Sequence, residues 1–410
     1  MPYLFIPIIL AVLAVLASCG SDLEPQTATP LNGQQLADKY LIVDTHIDVP
    51  FRLHRQPQDV GVATDSGEFD YPRAVAGGLN APFMSIYIPA QVEDDGGAKA
   101  LADELIDLVE GIIRQHPDKF AAAHSTAQID ANFKAGLISL PMGMENGGPI
   151  QGDLNNVSYF FDRGIRYITL THSRSNHISD SSYDENKRWG GLSDFGKALI
   201  PEMNRLGLLV DVSHISDAAF YDVMDITTTP VIASHSSARF FVPGFERNMD
   251  DKMLARMAEN DGVIQLNIGS AFISVAASDS GRARSTALTA YVEANDIAAD
   301  SEAYTVAKTK ISAEHPYVYA TMDDVLDHID HIVAVAGINH VGIGSDFDGV
   351  GDSLPMGFKD VSQYPAFIDG LISRGYAEQA IEQILGGNLM RVWRANEAHA
   401  LALRLAAKAN

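Results

Sequence analysis

The sequence predicts an α/β protein built as a (β/α)8 TIM barrel, and three observations lead there. Short apolar runs recur along the 410 residues, with amphipathic stretches of helical period between several of them. The runs are continuous and rich in β-branched residues, without the alternation of a half-exposed strand, as expected of parallel strands covered on both faces. Eight such runs follow one another past residue 40, the number at which alternating strands and helices close into a barrel. A doubly wound open sheet is the rival arrangement.

The chain opens on a segment outside that pattern. Residues 3–18, YLFIPIILAVLAVLAS, form an almost unbroken apolar run. It is short for a membrane span and suits the apolar region of a signal peptide, placed here over residues 1–18. Leu16-Ala17-Ser18-Cys19 resembles the bacterial lipobox, in which the cysteine becomes the lipid-bearing first residue of the mature chain. One departure from that pattern is that no Lys or Arg precedes the run. An ordinary cleaved signal or an N-terminal anchor helix is the alternative. Cys19 is the only cysteine, so an internal disulfide, a thiolate metal site and a cysteine nucleophile are excluded. Residues 19–38, with Pro25, Pro30 and Gly33, read as a lipid-anchored tether to a barrel domain over residues 39–400.

Within the barrel domain the strands are read, in order, at Leu41–Thr45, Ala81–Ile88, Leu137–Met142, Arg166–Leu170, Leu208–Val212, Val231–Ser234, Gly262–Leu266 and His340–Gly344. Helices are read at Ala98–Gln115, Phe195–Leu206, Asp250–Glu259 and Met322–Ala336. The stretch from about Ser270 to Tyr319, rich in Ala, Ser, Thr and Asp, breaks the rhythm. It reads as a helical insertion between strand seven and the helix before strand eight. The charge balance of 53 Asp and Glu against 29 Lys and Arg gives a formal charge of -24. Such a surface repels phosphate backbones, so nucleic acid is not an expected partner.

The C-terminal ends of the strands carry the functional signal. The first strand ends in His46-Ile47-Asp48 and the third in Met144-Glu145-Asn146. The fourth, fifth and sixth lead to His172, His214 and His235, and the eighth to Asp346 and Asp348. Each residue alone has an ordinary reading: a hydrogen-bonded core histidine, or an aspartate capping the next helix. Independent caps and core histidines have no reason to share one end of six strands, and in a barrel those ends converge on one mouth. Imidazole and carboxylate without thiolate suit Zn2+, Mn2+, Fe2+ or Co2+ in an open catalytic site. His-x-Asp places both side chains on one side of an extended chain. More ligands than one catalytic ion needs argue for two ions sharing a bridging carboxylate and a bridging hydroxide.

At this point the residues match a family. The motifs DTHIDVP, GMENGGPI, YITLTHSRSN, GLSDFGKALIPEMNRLGLLVDVSH, IASHSSAR, ERNMDD, VGIGSDFDGV and GGNLMRVW, in that order from about Leu41 to Val392, resemble those of the membrane (renal) dipeptidases. These are two-zinc metallopeptidases on the amidohydrolase-type barrel. The resemblance implies that His46 and Asp48 ligate one zinc, that Glu145 bridges both, and that His214 and His235 ligate the second. It implies that His172 contacts substrate without ligating, that Asp346 transfers the proton, and that Arg247 in ERNMDD helps bind substrate. Asp348 either bonds backbone in its loop or lines the pocket. His328 and His331 are expected on an exposed helical face. Two departures put side-chain specificity in doubt: Ile268-Gly269 follows Asn267 where the family can carry an aromatic, and the insertion differs from that expected of the mammalian members.

The expected function is a zinc-dependent dipeptidase using two Zn2+ per subunit, with substrates that extend to dipeptides carrying a C-terminal D-residue. The family often forms homodimers. The expected location is the bacterial cell envelope, held at the membrane through a lipid on Cys19 and facing the periplasm. Another binuclear amidohydrolase, an N-acyl amino acid hydrolase or lactonase, would use nearly the same metal residues. A lipid-anchored peptide-binding protein would share the signal and tether but would have no need of the metal residues.

Overall fold

The fold is described from a computed structural model, which places residues 1–3, 31–299 and 301–409. The apolar run, the lipobox and most of the tether lie outside the described residues. Eight parallel strands close into a barrel, each hydrogen-bonded to its neighbours in sequence order and the last to the first. They are β1 (Ile42–Ile47), β2 (Leu79–Tyr87), β3 (Met142–Glu145), β4 (Ile165–Thr169), β5 (Leu209–Asp211), β6 (Ile232–Ser236), β7 (Val263–Leu266) and β8 (Val341–Ile343). Closure is made where Asp44 of β1 pairs in register with Ile343 of β8. The architecture is the (β/α)8 TIM barrel that the strand count predicts.

Burial explains why the runs lack alternation. All six residues of β1 and all five of β4 are buried, because the outer side chains face helices while the inner ones fill the barrel. The third strand differs from the reading. Leu137–Met142 divides at Pro141: Ile138–Leu140 pairs with Phe120–Ala122 in a separate two-stranded sheet, and Met142–Glu145 enters the barrel. Proline has no N–H to continue a ladder, whereas its carbonyl accepts from the Met84 N–H at 2.8 Å.

The helices begin where side chains can satisfy their first amides. Ser193, Asp250 and Thr321 cap the helices Asp194–Leu206, Asp251–Glu259 and Met322–Ala336. Between β7 and the last of these lie Ser270–Ile273, Val275–Ala294 and Glu302–Glu314, all helical. At the other end of the domain, Gly33–Lys39 is a helix with Leu36 and Ala37 buried, and the C-terminal helix runs Asn388–Ala409. Its Leu389, Val392 and Trp393 pack in one buried cluster with Val43, Leu209, Ile232 and Val263 from the starts of their strands. That cluster fills the N-terminal end of the barrel and leaves the C-terminal end as the open mouth. No helix among the described residues is long and apolar enough to cross a membrane.

Candidate active site

The barrel brings all eight predicted site residues to this mouth. His46 is next to last in β1, Glu145 ends β3 and His235 lies in β6. His172, His214 and Asp346 follow β4, β5 and β8 within three residues, and Arg247 lies in the loop after β6. Asp48 occupies the N-cap position of the helix Val49–Arg55, yet its carboxylate makes no capping bond. It faces His46 Nε2 instead, at 3.5 Å. His214 (φ 69°), Asp346 (φ 67°) and Asp348 (φ 65°) are held in the left-handed region. Such backbone costs about 1–3 kcal/mol per residue and persists only where its surroundings enforce it.

Glu145 is the centre of the arrangement. Its Oε2 lies 3.3 Å from His46 Nε2, while its Oε1 lies 3.4 Å from His172 Nε2, 3.2 Å from His214 Nε2 and 3.3 Å from His235 Nε2. The Nε2 atoms of His214 and His235 are 2.8 Å apart. Three overlapping clusters have ligand atoms mutually within 4.8 Å: His46–Glu145–His235, Glu145–His172–His214 and His46–Asp48–Asp346. Arg247 borders them, donating to Ser236 Oγ at 2.7 Å and to the His235 carbonyl at 2.6 Å, with an Nη atom 3.1 Å from His214 Nε2.

These residues fit divalent metal. Ligands at 2.0–2.2 Å from a tetrahedral zinc stand roughly 3.3–3.6 Å from one another, close to the spacings around Glu145. His46 Nε2 and Asp48 Oδ1 are buried without a hydrogen-bond partner, an arrangement that is costly unless a cation satisfies them. The tautomer of His46 is also set for ligation. Tyr167 Oη donates to the Thr45 carbonyl at 3.0 Å, so at 2.8 Å it accepts from His46 Nδ1–H and leaves Nε2 as the nitrogen available to a metal. Gly143 makes room for that tyrosine, since a Cβ there would stand 1.9 Å from the ring.

Burial opposes charge on His46, but Tyr167, Glu145 and Asp48 outweigh it and hold this imidazole well above its ordinary value, a positive charge in the place where a bound cation would supply one. Burial opposes the charge on Glu145, but His46, His172, His214 and His235 outweigh it and hold the carboxyl well below its usual range. Burial, with Arg247 beside His214 and His46 beside His235, keeps both of these imidazoles well below their ordinary value and therefore neutral, the form that ligates. Burial pushes Asp346 up to about 7; His46 and Arg247 pull the other way, while Asp48 and Glu145 add to the rise. A carboxyl placed there can take and return a proton near neutral pH, and bound cations would draw it lower.

Several participants carry no sequence signal of their own. Asn267, immediately after β7, donates to Asp346 Oδ2 at 2.8 Å. Ser85 of β2 donates to Glu145 Oε2 at 3.1 Å, and the Tyr87 ring lies 4.9 Å from that of His172. Asp348 accepts from the Glu68 N–H at 2.7 Å and pairs with Arg52 at 2.9 Å, so it braces the loop. Gly349 permits the close approach of Asp48 and Asp346: a Cβ would lie 2.2 Å from one carboxylate and 2.3 Å from the other. His177 pairs with Glu93 at 3.4 Å, outside the three clusters. His328 is not exposed but fully buried, and His331 pairs with Asp251 at 2.7 Å.

Comparison with known proteins agrees with this geometry. Residues 32–407 match the family described as membrane dipeptidase, peptidase family M19. Dipeptidase aclJ of Aspergillus oryzae is 34% identical over 333 residues, 80% of this chain and 69% of the relative. An uncharacterized dipeptidase of Schizosaccharomyces pombe is 30% identical over 372 residues, 87% and 81% of the two chains. Among solved structures, the probable dipeptidase PvdM of Pseudomonas aeruginosa superposes with a TM-score of 0.77 at 26% identity, covering 90% of this chain and 98% of that one. A Rhodobacter sphaeroides metallopeptidase, solved with a phosphinate mimic of L-Ala-D-Ala, shares the fold with a TM-score of 0.72 at 24% identity, over 87% and 99% of the two chains. The chain therefore belongs to the membrane dipeptidases of peptidase family M19, metallopeptidases that hydrolyse the peptide bond of dipeptides.

Proposed function

We propose that this metallodipeptidase works with two zinc ions, one held by His46, Asp48 and Glu145 and the other by Glu145, His214 and His235. The observation that carries the reading is the division of Glu145, whose Oε2 faces His46 while its Oε1 faces His214 and His235. A carboxylate whose two oxygens serve separate imidazole groups has the form of a bridge. When bound, the ions would supply a water acidified to about neutrality and an electrophile for the carbonyl oxygen.

The chain's own residues supply the rest. Asp346 takes the proton of the attacking water and returns it to the leaving amine, as base and then acid. Asn267 aims that carboxylate through its bond to Oδ2. His172 stands beside Glu145 to stabilise charge developing on the carbonyl oxygen. Arg247 holds the free carboxylate of the dipeptide, since its buried Nε has no partner in the protein. The substrates include dipeptides with a C-terminal D-residue, the kind mimicked in the Rhodobacter sphaeroides structure. The enzyme is a homodimer held at the bacterial envelope by a lipid on Cys19 and faces the periplasm.

Metal-quantified protein assayed on paired L-X-L-X and L-X-D-X dipeptides tests this reading. Hydrolysis should vanish on chelation and return with two equivalents of zinc. Turnover that survives complete metal removal would contradict it.

A further inference from the structure

Beneath the mouth lies a fully buried carboxylate that the proposed chemistry does not use. Asp211 ends β5 and receives four hydrogen bonds. Its Oδ1 accepts from the Ser213 N–H at 3.0 Å and the Ser234 N–H at 2.8 Å. Its Oδ2 accepts from Ser234 Oγ at 2.6 Å and from Thr169 Oγ1 in a shorter contact. Ser234 Oγ is also 2.7 Å from His235 Nδ1. A hydroxyl has one hydrogen to give. Ser234 gives it to Asp211, so toward His235 it can only accept.

We infer that Asp211, acting through Ser234, is a positioning residue that fixes His235 as its Nδ1–H tautomer and so leaves Nε2 free to hold metal. The inference rests on the two-ion reading above and adds to it. The same carboxylate ties down the other imidazole assigned to that ion. Its bond to Ser213 N–H fixes the residue before His214, whose backbone is left-handed, and Ser213 Oγ accepts from the His235 N–H at 3.1 Å. Asp211 thus joins the ends of β5 and β6 at the point where each presents a histidine.

The direction of the hydrogen bonds makes the inference testable. In Asp211→Asn the amide oxygen still accepts from both backbone N–H groups, but an NH2 replaces Oδ2. Ser234 must then accept from the amide and turn its own hydrogen to His235 Nδ1. The imidazole proton moves to Nε2, where it blocks ligation.

The experiment is a zinc titration of the purified, metal-stripped chain against a chromophoric chelator, with far-UV circular dichroism of each zinc-free protein. Asp211→Asn should weaken one of the two ions about 10- to 100-fold, the usual effect of losing such a partner, and leave the other unchanged. Ser234→Ala should weaken the same ion, which keeps the test open if Asp211→Asn fails to fold. The double variant should bind that ion more tightly than Asp211→Asn alone, because the hydroxyl that reverses the tautomer is gone. A carboxylate that only stabilises the fold predicts losses that add, or a double variant worse than either single one. Additive losses, or wild-type affinity in Asp211→Asn or Ser234→Ala, would overturn the inference. A wild-type chain that takes up one ion contradicts the two-ion reading instead, and the relay is then judged on whether that ion weakens.

Discussion

Asp346 and Gly349, three residues apart after β8, show how closely the proposed chemistry depends on single atoms. Asp346→Asn preserves shape and the bond to Asn267 while removing the group that accepts a proton. Both ions should stay bound and kcat should fall about 10²- to 10⁴-fold with KM little changed, the range for a lost general base. Metal analysis beside steady-state kinetics checks this, and a variant that retains full turnover would remove Asp346 from the proton path. Gly349→Ala acts differently, since its Cβ would strike the Asp48 and Asp346 carboxylates. Weakened zinc binding together with lost turnover is the expected result, read from zinc affinity as well as rate. His46, Glu145 and Asp346 were legible because chemically distinctive residues recur at strand ends. Asn267 and Asp211 were not, because their partners, Asp346 after β8 and the Ser234–His235 pair in β6, are distant in the chain.

At the scale of elements, the parallel strands were readable because burial on both faces leaves continuous apolar runs. Two features escaped that reading. Pro141 divides one apolar run between two sheets, a matter of pairing partners that periodicity does not encode. His328 lies on a helix whose sequence looks polar there, yet its Nδ1 accepts from the Ala238 N–H at 3.2 Å and its Nε2 bonds the Ile273 carbonyl at 3.1 Å. It pins the helix Met322–Ala336 to the loop after β6 and to the end of the short helix Ser270–Ile273. Burial drives this histidine from its ordinary 6.5 down to about 4. Because the unfolded chain binds the proton more readily, the stability tied to neutral His328 is complete above pH 6.5 and lost as pH falls toward 4. The loss approaches ~3 kcal/mol at 1.36 kcal/mol per pKa unit. In His328→Gln, which can donate and accept at the same two sites, denaturant unfolding should show a flatter dependence across that window. An unchanged slope would show that His328 titrates in the folded protein as it does in the unfolded chain.

For the whole molecule, the barrel separates two tasks. One end is filled by the C-terminal helix and its Trp393, and the other holds the polar cluster. The formal charge of -24 disfavours polyanions but has no bearing on which dipeptide enters. The proposed anchor makes its own prediction: Cys19→Ala should move the enzyme from the detergent-soluble membrane fraction to the soluble fraction, with turnover per molecule unchanged. Continued membrane association of the variant would favour an uncleaved N-terminal anchor. The proposed chemistry at the barrel mouth depends above all on two ions joined by Glu145. Anomalous diffraction at the zinc edge from zinc-loaded crystals tests that claim most directly. Two peaks per chain, one among His46, Asp48 and Glu145 and the other among Glu145, His214 and His235, are predicted; a single peak, or two that do not share Glu145, would contradict it.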